Sequence, residues 1–191
     1  MRSGATVNQH VAVYAGSFDP VTLGHMDVLR RSRMLFDRIV IGIGRNPNKE
    51  PLFTIEERVR MMRSLVSDLM SKESAGAACS VESYHDLTVD FARRVGAVAM
   101  IRGIRNVTDL AGECQLAITN RQVAGIETVF IVAGETFGYT SSSLIRQIAA
   151  FGGSIGKLAL FVPPLVMEAI ERKRQDPDNP LARLAREAEA E

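Results

Sequence analysis

Five short apolar runs rich in Val and Ile alternate with longer stretches of helical period, and this alternation constrains the fold more than any other feature of the chain. A parallel strand buried on both faces reads as a continuous apolar run, and successive parallel strands need a helical crossover between them. The runs predict strands over 11–15, 38–44, 80–84, 97–101 and 127–132, each bounded by Gly or polar residues. They fit one five-stranded parallel sheet with helices on both faces, an α/β class. Between the second and third strands, Thr54 is followed three residues later by Glu57, the mark of a capping box. Ile55, Val59, Met62, Val66 and Leu69 then recur at spacings of four and three, which predicts an amphipathic helix. Asn106 with Asp109 opens another helix that runs to about residue 122 and places Asp109, Glu113 and Asn120 on one face. Helical patterning returns over 141–151 and 165–173, punctuated by Gly152, Gly153, Pro163 and Pro164.

A chain of 191 residues, 46% hydrophobic and 24% charged, is long enough for one well-buried core and short for two. The expectation is a single domain over 1–175 and a polar, proline-interrupted tail over 176–191, in which LARLAREAEAE can form a frayed helix. The formal net charge of +1 argues against the broad positive field of a non-specific nucleic-acid binder, so no nucleic-acid partner is expected and any anion site must be local. No apolar run approaches the roughly 20 residues that span a bilayer, and MRSGATVNQH has no signal-peptide core, so a cytoplasmic protein without membrane contact is expected. Cys79 and Cys114 lack partners at metal or redox spacing and read as small apolar residues.

The chemistry concentrates after the first strand, in GSFDPVTLGH over 16–25, which leads into a helix whose apolar positions include Val28, Leu29, Leu35 and Phe36. Gly16 lets the backbone approach a ligand closely at the carboxyl end of the strand, and Ser17 adds a hydroxyl there. His25 begins the helix, where free N–H groups and the helix dipole favour an anion; Asp19 and Pro20 shape the turn. The segment Thr22-Leu23-Gly24-His25 resembles the (T/H)xGH signature of the nucleotidyltransferase superfamily, whose fold logic class I aminoacyl-tRNA synthetases share. Three further polar stretches follow predicted strands and so reach the same edge of the sheet. RNPNKEPLFTIEER places Lys49 in a loop, either facing a phosphate or simply solvated. IRGIRNVTD presents Arg102 and Arg105 before a helix start, as phosphate ligands or as partners of Asp109 and Glu113. FGYTSSSLIR supplies three serines, as phosphate ligands or as N-caps.

With GSFDPVTLGH, NKEPLFTIEER, IRGIR, the 113–120 segment and TSSS in this order, the sequence resembles phosphopantetheine adenylyltransferase over about 11–173. The resemblance implies a Rossmann-like domain and an enzyme that transfers AMP from ATP to 4′-phosphopantetheine, giving dephospho-coenzyme A and pyrophosphate by direct in-line attack. It implies ATP contacts at Ser17, Phe18, His25, Gly103, Ile104, Arg105, Glu113, Phe137, Gly138, Tyr139, Thr140, Ser141, Ser142 and Ser143. Acceptor contacts are implied at Ser17, Lys49, Thr88 and Arg102, with His25, Lys49 and Arg102 as the catalytic set. It further implies Mg²⁺ carried by ATP with no dedicated protein cage, inhibition by coenzyme A, and a homohexamer. Three departures touch the expected ATP pocket: Gly112 where the family usually has an aromatic residue, Phe137 where it often has Trp, and Ala15 where Pro is common. The competing expectations are a related transferase acting on nicotinamide mononucleotide or a small alcohol phosphate, and a non-catalytic nucleotide-binding regulator.

Overall fold

The computed structural model describes residues 9–45, 50–151, 155–176 and 180–182. Strands β1 (Val11–Gly16), β2 (Arg38–Ile43), β3 (Ala78–Ser83), β4 (Ala99–Ile104) and β5 (Glu127–Val132) form one sheet in the order β3-β2-β1-β4-β5. Every neighbouring pair is parallel. The helices are α1 (Leu23–Ser32), α2 (Ile55–Lys72), α3 (Thr88–Arg94), α4 (Val107–Ala124), α5 (Ser142–Phe151) and α6 (Pro164–Gln175), with short 3₁₀ turns at Glu135–Phe137 and Ile155–Leu160. The direction of winding reverses between β1 and β4, and at such a switch point an open α/β sheet leaves a crevice at its carboxyl edge.

Strand alternation divides the core into two layers. Ala12 and Tyr14 of β1 and Ile39, Ile41 and Ile43 of β2 face one layer, closed by α1, α2, α5 and α6 through Leu29, Met62, Ile145 and Ile170. Val11, Val13, Ala15 and Val40 face the other, against Tyr84, Val89 and Phe91. Gly42 makes the second layer possible: a Cβ there would lie 2.5 Å from a ring carbon of Phe91. The Phe91 ring stacks on Tyr84 at 4.7 Å.

Helix starts follow the local chemistry. Thr54 and Glu57 form the expected capping box at α2, and Asn106 accepts the Asp109 N–H at 2.9 Å to cap α4, which Gly125 ends in a left-handed conformation at φ 69°. Pro164 opens α6 at a position whose N–H needs no partner.

Four departures from the sequence expectations have physical causes. β4 runs on to Ile104 because β5 continues to pair with it, through Ile104↔Val132, after its pairing with β1 has stopped at Ile101. Arg102 therefore lies within the strand. Helix α1 ends at Ser32, leaving Leu35 58% exposed while Phe36 packs on the core. α3, seven residues long, is too short to show a helical period in the sequence. Leu181, in the stretch read as tail, is buried in the main core layer within a helical turn. The apolar residues Leu158, Val162 and Val166 also belong to that core.

Candidate active site

At the switch point the ends of β1 and β4, the start of α1 and the start of α5 enclose a cleft of about 360 Å³, within the usual range of small-ligand sites. The chain leaves β1 through a turn with Phe18 at φ 47° and a cis bond between Asp19 and Pro20. Thr22 then caps α1. Its hydroxyl accepts the His25 N–H at 3.2 Å, and the Thr22 N–H donates to His25 Nδ1 at 3.0 Å. His25 is thus the N3 partner of a capping box, a task normally done by Glu or Gln. Because Nδ1 accepts a hydrogen bond, the neutral ring carries its proton on Nε2. Burial, reinforced by Arg105 and Arg102, lowers the His25 pKa to about 4, so the imidazole is neutral at pH 7. Phe18 meets the ring edge-on at 5.1 Å. A Cβ at Gly24 would lie 3.3 Å from Phe137 Cβ, a close contact that Phe137 would have to yield to accommodate.

Facing this wall are two arginines from β4 and the turn beyond it. Arg102 donates to both carboxylate oxygens of Glu113, at 2.6 Å each, and to Ala15 O at 3.0 Å. Burial opposes its charge, but the hydrogen-bonded Glu113 carboxylate outweighs that effect, so the guanidinium stays protonated. Arg105 pairs with Asp109 at 2.7 Å and donates to Thr140 O at 2.8 Å. Of the two readings of these arginines, the structure shows pairing with α4 carboxylates, and both residues also line the cleft. On the third side, Ser141 Oγ accepts the Leu144 N–H at 3.1 Å and caps α5, while Ser142 Oγ donates to Pro20 O at 2.8 Å. The amino end of α5, with its partial positive charge, opens on the cleft.

The cleft brings together Ser17, Phe18, His25, Arg102, Gly103, Arg105, Glu113, Phe137, Thr140, Ser141, Ser142 and Ser143. Ile104 is buried, and Gly138 and the 90% exposed Tyr139 do not line it. Lys49 lies outside the described residues. Thr88 lines a second cavity of about 260 Å³ that shares Ala15 and Arg102 with the first and is walled by Leu87, Val89, Met100, Leu116 and Val123. Thr88 Oγ1 is 2.9 Å from the Tyr84 hydroxyl. Sequence reasoning missed this apolar cavity. Its legible traces were Thr88 and Arg102, named through the family resemblance, and Asn120, on one helical face with Glu113. A Cβ at Gly112 would meet nothing within 4 Å, so the absent aromatic leaves open space. Among the described residues, no group of three or more His, Cys, Asp or Glu side chains is placed to hold a metal ion.

A crevice that joins a half-buried neutral His at a helix start, two arginines and a serine-rich helix start on this sheet defines a nucleotidyltransferase. The cytidylyltransferase-like family model matches residues 13–148. The fold agrees with a bifunctional NMN adenylyltransferase/ADP ribose pyrophosphatase from Francisella tularensis, at TM-score 0.62 and 16% identity over 93% of this chain and 52% of that one. Within the class, the chain is 43% identical over 172 residues to the phosphopantetheine adenylyltransferase of Rhodopirellula baltica, covering 90% of this chain and 92% of the relative. The phosphopantetheine adenylyltransferase of Lachnoclostridium phytofermentans is 43% identical over 164 residues, 85% and 94% of the two chains. The chain belongs to the phosphopantetheine adenylyltransferase family.

Proposed function

We propose that this enzyme transfers AMP from Mg-ATP to 4′-phosphopantetheine, releasing pyrophosphate and dephospho-coenzyme A. The observation that carries the reading is the meeting of two cavities at Arg102: a polar cleft with the donors a triphosphate needs, and an apolar channel suited to a pantetheine arm. An oxygen of the acceptor phosphate attacks the α-phosphorus of ATP, the bond from that phosphorus to the β-bridging oxygen breaks, and pyrophosphate leaves with the electron pair. The acceptor phosphate is ionised at neutral pH, so no general base and no covalent intermediate are required.

The protein's task is to hold two anions in line and offset their repulsion. Arg102, with Lys49, takes the acceptor phosphate. For Arg102 this means exchanging Glu113 for phosphate, a bidentate swap that keeps the guanidinium paired. His25, neutral and with Nε2–H turned to the cleft by its capping bond, donates to an α-phosphoryl oxygen as charge grows there. Arg105, Ser142, Ser143 and the Mg²⁺ that enters with ATP hold the leaving pyrophosphate.

Three associated properties follow from the same reading. Coenzyme A contains both halves of the product, so it competes for the joined cavities as an inhibitor. No described helix is long and apolar enough to cross a membrane, and we assign the activity to the cytoplasm, where ATP is supplied. Among the described helices α4 alone has no buried residue, and it exposes Leu110, Leu116, Ile118 and Val123, which supports assembly of copies, six in the full particle.

The test is pyrophosphate release from Mg-ATP with 4′-phosphopantetheine, against nicotinamide mononucleotide and no acceptor. Release that depends on phosphopantetheine, with dephospho-coenzyme A found by mass, is the expected result. Release only with another acceptor overturns the acceptor, and ATP binding without release under any condition favours a regulator. His25→Ala should fold and lose at least about a hundredfold in kcat; an unaltered rate removes His25 from the mechanism.

A further inference from the structure

Two segments that no strand pairing joins directly reach the cleft, the turn carrying Ser17 and Phe18 and the amino end of α5, and the loop from Glu50 into α2 packs against that turn. A buried polar knot connects them, and its members do not line the cleft. Asp19, 3% exposed, accepts the N–H groups of Leu52 and Phe53 at 2.9 Å each and one guanidinium N–H of Arg146 at 3.0 Å. Arg146 lies on α5 one turn beyond Ser142, whose hydroxyl reaches Pro20 O, so one face of α5 is bound twice to the turn after β1. Arg58, also 3% exposed, comes from α2 and donates to Ser17 O at 2.7 Å, Gly44 O at 3.0 Å and Phe53 O at 3.1 Å.

We infer that Asp19 and Arg146 are positioning residues for AMP transfer: their buried ion pair sets the serine-rich start of α5 at a fixed distance from the turn on the opposite side of the cleft, which Asp19 also ties to the loop leading into α2. This rests on the reading of the cleft as the site of transfer. The sheet ladder orients β1 and β2 but has no bond to α5, which is reached along the chain only through β5 and the 3₁₀ turn. Without the pair, the leaving pyrophosphate would be held by a helix tied to that turn by the Ser142 hydroxyl alone, and its separation from the turn would be less closely set. In-line transfer is sensitive to such an error, since a misplacement of about 1 Å costs on the order of a hundredfold in rate. Side chains at 12% and 4% exposure are poorly reached by water, so neither charge has an alternative partner of equal quality.

The experiment uses the full chain with Arg146→Met, Arg146→Lys and Asp19→Asn, measuring kcat, both KM values, circular dichroism and the stoichiometry of ATP binding by calorimetry. Arg146→Met leaves the two amide bonds of Asp19 in place and is the variant chosen to stay folded if Asp19→Asn does not. The expected result is a kcat lower by about tenfold or more in Arg146→Met, with ATP still bound at full stoichiometry and each KM within about threefold, and recovery of most of the rate in Arg146→Lys. A kcat that falls only in step with ATP-binding stoichiometry shows a structural role and overturns the proposal, as does an unchanged kcat. A wild-type protein that transfers AMP to a different acceptor overturns the acceptor reading alone, and the variants are then scored on that acceptor. No transfer by the wild type to any acceptor overturns both.

Discussion

At His25 a hydrogen bond sets the tautomer and burial sets the charge. Its Nδ1 is occupied by the Thr22 N–H, and burial beside two arginines holds its pKa near 4. A ¹⁵N NMR titration should find the Nε2–H tautomer and no protonation of this ring between pH 5 and 8. The shift also predicts a stability effect. Between the unfolded value near 6.5 and the folded value near 4 the unfolded chain binds the additional proton, so this contribution is intact above pH 6.5 and is lost as pH falls toward 4. At 1.36 kcal/mol per unit the loss is about 3 kcal/mol, read as the difference in urea midpoint between wild type and His25→Gln at pH 7.5 and 4.5. A His25→Gln chain with the same acid slope as wild type would contradict this. On the proposed division of the substrates between the two arginines, Arg102→Ala should raise the KM for phosphopantetheine by about tenfold or more and Arg105→Ala that for ATP, because a hydrogen bond to a charged group is worth roughly 1.5–3 kcal/mol. Steady-state kinetics in both substrates separates them.

At the scale of elements, two capping boxes of the same design serve different ends. Thr54 with Glu57 starts α2 on an exposed surface, whereas Thr22 with His25 starts α1 at the floor of the cleft. Thr54→Ala and Thr22→Ala should each cost about 1 kcal/mol of stability by denaturant titration. Only Thr22→Ala should also lower kcat, because in the proposed mechanism only there is the N3 side chain a donor to substrate; equal kcat in both variants would show that the cap does not orient His25. The start sites of α2 and α4 were legible because a cap is written within four residues. α3 was not, since seven residues show little more than two turns.

For the whole molecule, α4 is the element whose packing the single chain leaves incomplete, and it carries Glu113 and Asp109, the partners of both cleft arginines. Ile118→Glu, at a position 50% exposed, should reduce the particle mass seen by light scattering while leaving circular dichroism unchanged. A mass equal to that of wild type would show that this face is not the contact. The sequence by itself determined the chain order of the five strands and of the helices other than α3, the caps of α2 and α4 and the TxGH segment that places His25, because periodicity, capping and turn chemistry act over a few residues. Only the tertiary structure decided which charges meet. Arg102 finds Ala15 O across 87 residues and Arg146 finds Asp19 across 127, and the neutral state of His25 depends on burial by segments from the whole chain. The reason is physical: desolvation and ion pairing depend on distance in space, and the crossovers of a parallel sheet bring residues far apart in sequence to one edge.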